Sequence, residues 1–137
     1  MARNIIAVII GIVAAGIATY FVESINTRLF PLPDDLNLQD IEAMKEHVAS
    51  LPATAFIIVL IAHFIGALFG GLVSAKIAAS YQMKVALFVG AFVLIMGLIN
   101  LFMIPHPIWF MVVDIFMYLP GAYAGYRIYQ KYWPNNL

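Results

Sequence analysis

The chain has 137 residues, 64% of them hydrophobic and 10% charged, whereas about 25% of the residues of a soluble domain are charged. So few charges cannot cover a water-facing surface, so we expect lipid to cover much of the protein. A formal net charge of zero offers no basic surface to a nucleic acid, and the lack of cysteine excludes disulfides, thiolate metal sites and cysteine nucleophiles.

The first apolar run predicts a membrane-spanning helix over about residues 5–24. A hydrocarbon core of about 30 Å needs roughly 20 helical residues. The run is longer than the core of a secretory signal and follows a single basic residue, Arg3, so we expect it to be a span. Further runs predict spans over about residues 53–78, 85–104 and 107–128. The fold class is therefore an all-α membrane protein, a four-helix up-down bundle in one domain of residues 1–137.

The one sizeable loop, residues 26–52, is expected to contain a short amphipathic helix on the outer membrane surface. Asn37 can cap that helix, Asp40 favours its positive end and Pro52 ends it. The alternative is a solvated linker with a fortuitous apolar stripe. The residues that would share the apolar face are Leu38, Ile41, Met44 and Val48.

The connection between spans three and four, Ile104-Pro-His-Pro107, is too proline-rich to continue a helix, so these spans form an antiparallel hairpin. Lysine and arginine set the orientation, since cytoplasmic loops carry the excess of both. Arg28 and Lys45 lie on one side of the membrane. The other five predict cytoplasmic N and C termini on their side: Arg3, Lys76, Lys84, Arg127 and Lys131.

Glycines mark the faces through which the spans pack, because small residues let helix backbones approach closely. We expect those of span two to form one strip, and spacing alone leaves open whether the partner is the same chain or another. The packing candidates are Gly66, Gly70, Gly71, Gly121 and Gly125.

Polar residues are expected to converge in the outer half of the bundle. The four within the spans lie three, four or seven residues from a small residue, which places both on one helix face. Because polar groups facing lipid are costly, that face should point inward. At 1.5 Å per residue, they lie from near the outer end to about 15 Å deep. The cluster consists of Glu23, His63, Asn100 and Asp114, with His106 in the outer turn as a further candidate.

Three interpretations of this cluster stay open. The first in order is a structural role, which we call a pin: the polar side chains only hydrogen-bond the helices to one another. Each such bond stabilises the bundle by about 0.6 and at most about 2 kcal/mol. The second is proton handling, which carboxylate–histidine pairs can perform. Metal binding comes last, because no two candidate ligands on one span are three or four residues apart. We assign no catalytic residue, metal or cofactor.

Several segments resemble a group of small bacterial four-helix inner-membrane proteins. They are Leu51-Pro52, Gly66-x-x-x-Gly70-Gly71, the stretch from Asn100 to Trp109 and the stretch from Leu119 to Gly125. The Ile-Pro-His-Pro-x-Trp segment is the most specific of these. The resemblance implies a location in the bacterial inner membrane and transfers no activity.

The sequence therefore predicts a non-enzymatic integral membrane protein. Its expected partners are the lipid bilayer and either further copies of itself or the other subunits of a larger membrane complex, in which it would be an accessory subunit. The alternative is a small proton- or cation-coupled carrier or pathway that uses the polar cluster.

Overall fold

Helices account for most of the computed structural model, which describes residues 1–133. The predicted C-terminal end of the domain, 134–137, lies outside the described residues. The helices are α1 (Ala2–Leu29), α2 (Ile41–Ser50), α3 (Ala53–Ile77), α4 (Gln82–Met103), α5 (Ile108–Ile115) and α6 (Tyr118–Tyr132). Four segments are long and apolar enough to cross a membrane: α1, α3, α4 and the α5–α6 pair taken together. The predicted all-α, four-span fold is confirmed.

The first helix is longer than the predicted span. Its 28 residues extend about 42 Å at 1.5 Å per residue, more than the hydrocarbon core of about 30 Å requires. Isoleucines along its outward face are about half exposed, among them Ile9 at 56% and Ile17 at 53%. Such a surface suits contact with lipid.

Helix α3 lies at the centre of the bundle and packs against α1, α4 and α6. Helix α4 also contacts α1 and α6, whereas α1 and α6 flank the α3–α4 pair without extensive contact with each other. The bundle is therefore rhombic in section. Residues of all four helices, α1, α3, α4 and α6, line one cleft.

The predicted helix in the long loop is present as α2, but Asn37 is not its cap. Asp40 holds that position and accepts hydrogen bonds from the backbone N–H groups of Glu42 and Ala43, at 3.0 and 3.2 Å. Asn37 instead accepts from the Gln39 N–H in a turn before the helix. The helix starts later because Asp40, not Asn37, has its carboxylate over the first free N–H groups. Only Val48 of the predicted apolar face is buried, and it packs with Phe56, Leu60, Leu101 and Phe110.

The fourth span is broken rather than continuous. Between α5 and α6, the Phe116 N–H donates to the Val113 carbonyl at 3.0 Å and the Met117 N–H to the Asp114 carbonyl at 2.9 Å. Both are three-residue bonds, tighter than those of an α-helix. Pro120 explains the break, because its ring would clash with the carbonyl of Phe116 in a continuous helix and it has no N–H to donate.

The five packing glycines lie at contacts within the chain, but those of span two do not form one strip. A Cβ on Gly70 would stand 2.9 Å from the Ala15 Cβ of α1, and one on Gly66 would collide with Thr19 of the same helix. Gly71 instead meets the backbone of Ala122 in α6. A step of one residue turns a side chain by about 100°, which is why Gly71 faces a different neighbour. Gly121 and Gly125 face the backbone of α3.

Five of the seven basic residues gather at one end of the bundle, which we call the basic end; the loop before α3 marks the acidic end. Asn4 fastens the start of α1 there, accepting from the Ala79 N–H at 2.9 Å and donating to the Ser80 carbonyl at 3.1 Å. Arg3 donates to the Ile77 carbonyl at 2.7 Å. Lys76 lies over the ring of Trp133, 4.4 Å from its centroid.

A carboxylate–histidine–tyrosine site in the bundle

His63 of α3 lies between two carboxylates from two other helices. Its Nδ1 is 2.6 Å from Asp114 Oδ1, and its Nε2 is 3.5 Å from Glu23 Oε1. The Asp114 side chain is fully buried, that of His63 is 11% exposed and that of Glu23 is 41% exposed. The three groups thus form a line from a half-open carboxylate on α1 to a closed one at the end of α5.

Tyr118 completes the site. Its hydroxyl donates to Asp114 Oδ2 at 3.0 Å, and the hydroxyl oxygen lies 2.9 Å from His63 Nδ1. The tyrosine and histidine rings stack with centroids 5.2 Å apart. Tyr118 was not among the predicted site residues, although it follows Asp114 by four positions. That spacing places both residues on one helix face, and it was the signal that could have identified Tyr118.

The break in the fourth span places the two residues of this pair at the junction of α5 and α6. Asp114 lies in the last turn of α5, and Tyr118 is the first residue of α6. Irregular backbone at membrane depth is tolerated where it is buried in protein or lines a cavity. Here the Asp114 carbonyl receives the Met117 N–H while its carboxylate is held by His63 and Tyr118.

The geometry permits two placements of the same protons among His63, Glu23 and Asp114. With both ring nitrogens facing carboxylate oxygens, an imidazolium can donate to each carboxylate. A neutral imidazole fits the same arrangement only if one carboxyl group holds the proton. In either placement the charges of Glu23, His63 and Asp114 sum to minus one. One added proton brings the site to neutrality.

Asn100, a fourth predicted member, lines a cleft with the site but makes no side-chain hydrogen bond in the described part of the chain. The cleft has a volume of about 290 Å³. His63, Glu23 and Tyr118 form its polar wall. Asn100 is therefore a neighbour of the polar line, since nothing bonds it to the histidine or to the carboxylates.

His106, the fifth candidate, does not join the cluster. Its Nδ1 lies 2.7 Å from the Ile104 carbonyl, and its ring stacks on Phe110 at 5.0 Å between centroids. The two prolines beside it keep this turn short, so the His106 ring packs against Phe110 in the first turn of α5. Burial lowers the pKa of His106 from its ordinary value, opposed by its hydrogen bond to the Ile104 carbonyl.

The ligand geometry does not suit a metal ion. Glu23 and Asp114 face opposite nitrogens of the His63 ring, so their oxygens do not converge on a common point. Within residues 1–133, no three histidine, aspartate or glutamate side chains are arranged to hold a metal ion. Histidine and carboxylate side chains are ordinary zinc ligands, so it is their arrangement, not their chemistry, that argues against a divalent cation.

No protein-family model, curated protein or solved structure matches the chain.

Proposed function

We propose that the protein is a small non-enzymatic carrier or pathway that takes up and releases a proton at the Glu23–His63–Asp114 line. One observation carries the proposal: both nitrogens of a nearly buried imidazole face carboxylates of very different exposure. Intramembrane ionisable residues of this kind are typical of proton relays. The half-exposed Glu23 would exchange protons with the surroundings, and the buried Asp114 would accept the proton at the other end of the line.

The competing account is that the same groups only pin the helices together. Interhelical hydrogen bonds in membranes are worth about 0.6 kcal/mol on average. A pin needs hydrogen bonds but no titratable group, so an Asn–Gln pair would serve equally well. The choice of two carboxylates around an imidazole supports proton exchange over a mere pin.

The test is proton flux in proteoliposomes, with parent, Asp114→Asn and His63→Gln reconstituted at equal density. Each amide keeps hydrogen-bonding capacity but does not titrate near neutral pH. We expect flux in the parent and its loss in both variants, with all three equally folded. His47→Gln, the same substitution on helix α2, is the matched control and should keep the parent flux. A silent parent, purified with any companions it retains, contradicts the proposal.

A role as an accessory or self-assembling subunit is the second candidate. The very small water-exposed part of the chain favours it. The glycine faces, which first suggested self-assembly, support it less, because Gly66, Gly70 and Gly71 are all used for contacts within the chain. For location we propose the bacterial inner membrane, on the resemblance, with the basic end in the cytoplasm, on the lysine and arginine distribution.

A further inference from the structure

The cleft between α1, α3, α4 and α6 has an acidic wall and an apolar wall. Glu23 supplies the carboxylate, and the amide of Asn100 lies in the same cleft without a bonding partner among the described residues. The remaining lining is mostly small or apolar, including Ala15, Ala67, Val93 and Met96. No lysine or arginine is among the described residues that line it. Its volume of about 290 Å³ admits a small organic molecule.

Gly16 stands out among the nine glycines because a Cβ added there would meet nothing within 4 Å. The other eight each face a neighbour that a side chain would crowd. Glycine inside a helix costs roughly 0.5–1 kcal/mol relative to alanine. Packing within the chain does not explain why Gly16 is a glycine, because an alanine side chain would fit there without a clash. The space above Gly16 opens into the cleft, which Gly16 lines.

The charges of the site select the ligand. When His63 is an imidazolium paired with Asp114, Glu23 leaves one negative charge over, and that carboxylate is the half-open one. An anion would be repelled there, and a neutral molecule would leave the charge uncompensated. A monovalent cation neutralises it, and the ring of Tyr20, which lines the cleft, is a side chain of the kind that attracts a cation.

We propose that this cleft binds a small organic cation, an ammonium group carried on an apolar body, with Glu23 as its counter-ion. The ammonium group lies at the Glu23 and Asn100 side, and the apolar body lies over Gly16 against Val93 and Met96. This deepens the proposed function, since proton and organic cation then compete for the same negative charge. Binding can be measured without flux, so the two proposals can fail separately.

The experiment measures equilibrium binding of benzylammonium, benzyl alcohol and benzoate to the protein in nanodiscs, with empty nanodiscs to subtract partition into lipid. We expect only benzylammonium to saturate, at one per chain, and to bind more weakly as the pH falls. Glu23→Gln should weaken it by about tenfold or more, as expected for loss of a charged hydrogen-bonding partner. Gly16→Leu should abolish binding by filling the cleft.

Ile10→Phe is the control, because it adds bulk to an exposed position that does not line the cleft and is turned about 120° from Gly16 around α1, so binding should be unchanged. If Gly16→Leu fails to fold, Glu23→Gln alone still decides, since it is isosteric. Equal binding of benzyl alcohol and benzylammonium would overturn the cation assignment. No saturable binding to the parent would overturn the site itself. Disulfide-linked dimers of Gly16→Cys, in a chain without other cysteines, would show that a second copy fills the cleft and would also overturn it.

Discussion

At the residue scale, the buried Asp114 carboxylate depends on two partners. His63 engages Oδ1 and Tyr118 donates to Oδ2, so neither oxygen is left without a partner. A fully buried carboxylate oxygen that loses its donor bears the cost of its own desolvation. The two partners are therefore not redundant, and each can be tested alone.

Tyr118→Phe removes only the hydroxyl group and leaves the ring stacked on His63. We expect a loss of about 1–3 kcal/mol in the free energy of unfolding, because Oδ2 of Asp114 becomes an unsatisfied buried acceptor. The measurement is thermal or denaturant unfolding in one mild detergent. Tyr123→Phe is the matched control, since its hydroxyl only accepts from the exposed Arg127 and its loss should change stability little. Equal stability of the two variants would mean that the Tyr118 hydroxyl does not support Asp114.

Part of the site could be predicted from the sequence, because helical spacing relates a polar residue to the small residues on its own face. That reasoning selected Glu23, His63 and Asp114, which the structure places in one line. It missed Tyr118, since a tyrosine in an apolar segment looks like ordinary filler. It also included His106, whose direction depends on how two prolines shape a turn, and spacing along a helix cannot give that direction.

At the element scale, glycines with the same sequence environment serve different purposes. Gly71 lies where α3 and α6 touch backbone to backbone, at Ala122, whereas Gly16 lies over the open cleft. Both are helical glycines flanked by apolar residues, so only the position of the neighbouring helix separates them. The sequence could therefore predict that small residues pack, but not against which helix.

The same substitution at these two glycines should have opposite effects. Gly71→Ala forces a Cβ within 2.9 Å of the Ala122 carbonyl carbon, so we expect it to destabilise by about 1–3 kcal/mol, as overpacking does. Gly16→Ala meets nothing and should stabilise by about 0.5–1 kcal/mol through helix propensity. Unfolding of both variants in the same detergent provides the comparison. Destabilisation by Gly16→Ala would show that something already packs over that residue.

At the scale of the whole molecule, most of the basic residues and the half-exposed Glu23 lie toward opposite ends of the bundle. The basic end gathers five lysines and arginines around the start of α1 and the turn at residues 78–81, where hydrogen bonds from Asn4 and Arg3 hold the two elements together. The half-open Glu23 lies toward the opposite, acidic end of α1. The orientation of the chain therefore decides which compartment lies nearer to Glu23, and under the proposed function that compartment would exchange protons with the site.

The positive-inside rule predicts that the basic end faces the cytoplasm. Because the chain has no cysteine, one introduced thiol at a time reports the side on which it lies. We expect Asp35→Cys to react with a membrane-impermeant maleimide in intact bacterial cells, or in spheroplasts where an outer membrane must be removed. Ser80→Cys should react only after the membrane is opened. Both positions are in loops, so a difference in labelling reports access from one side rather than burial in a helix. The reverse pattern would place the acidic end in the cytoplasm, and Glu23 would then exchange protons with that compartment.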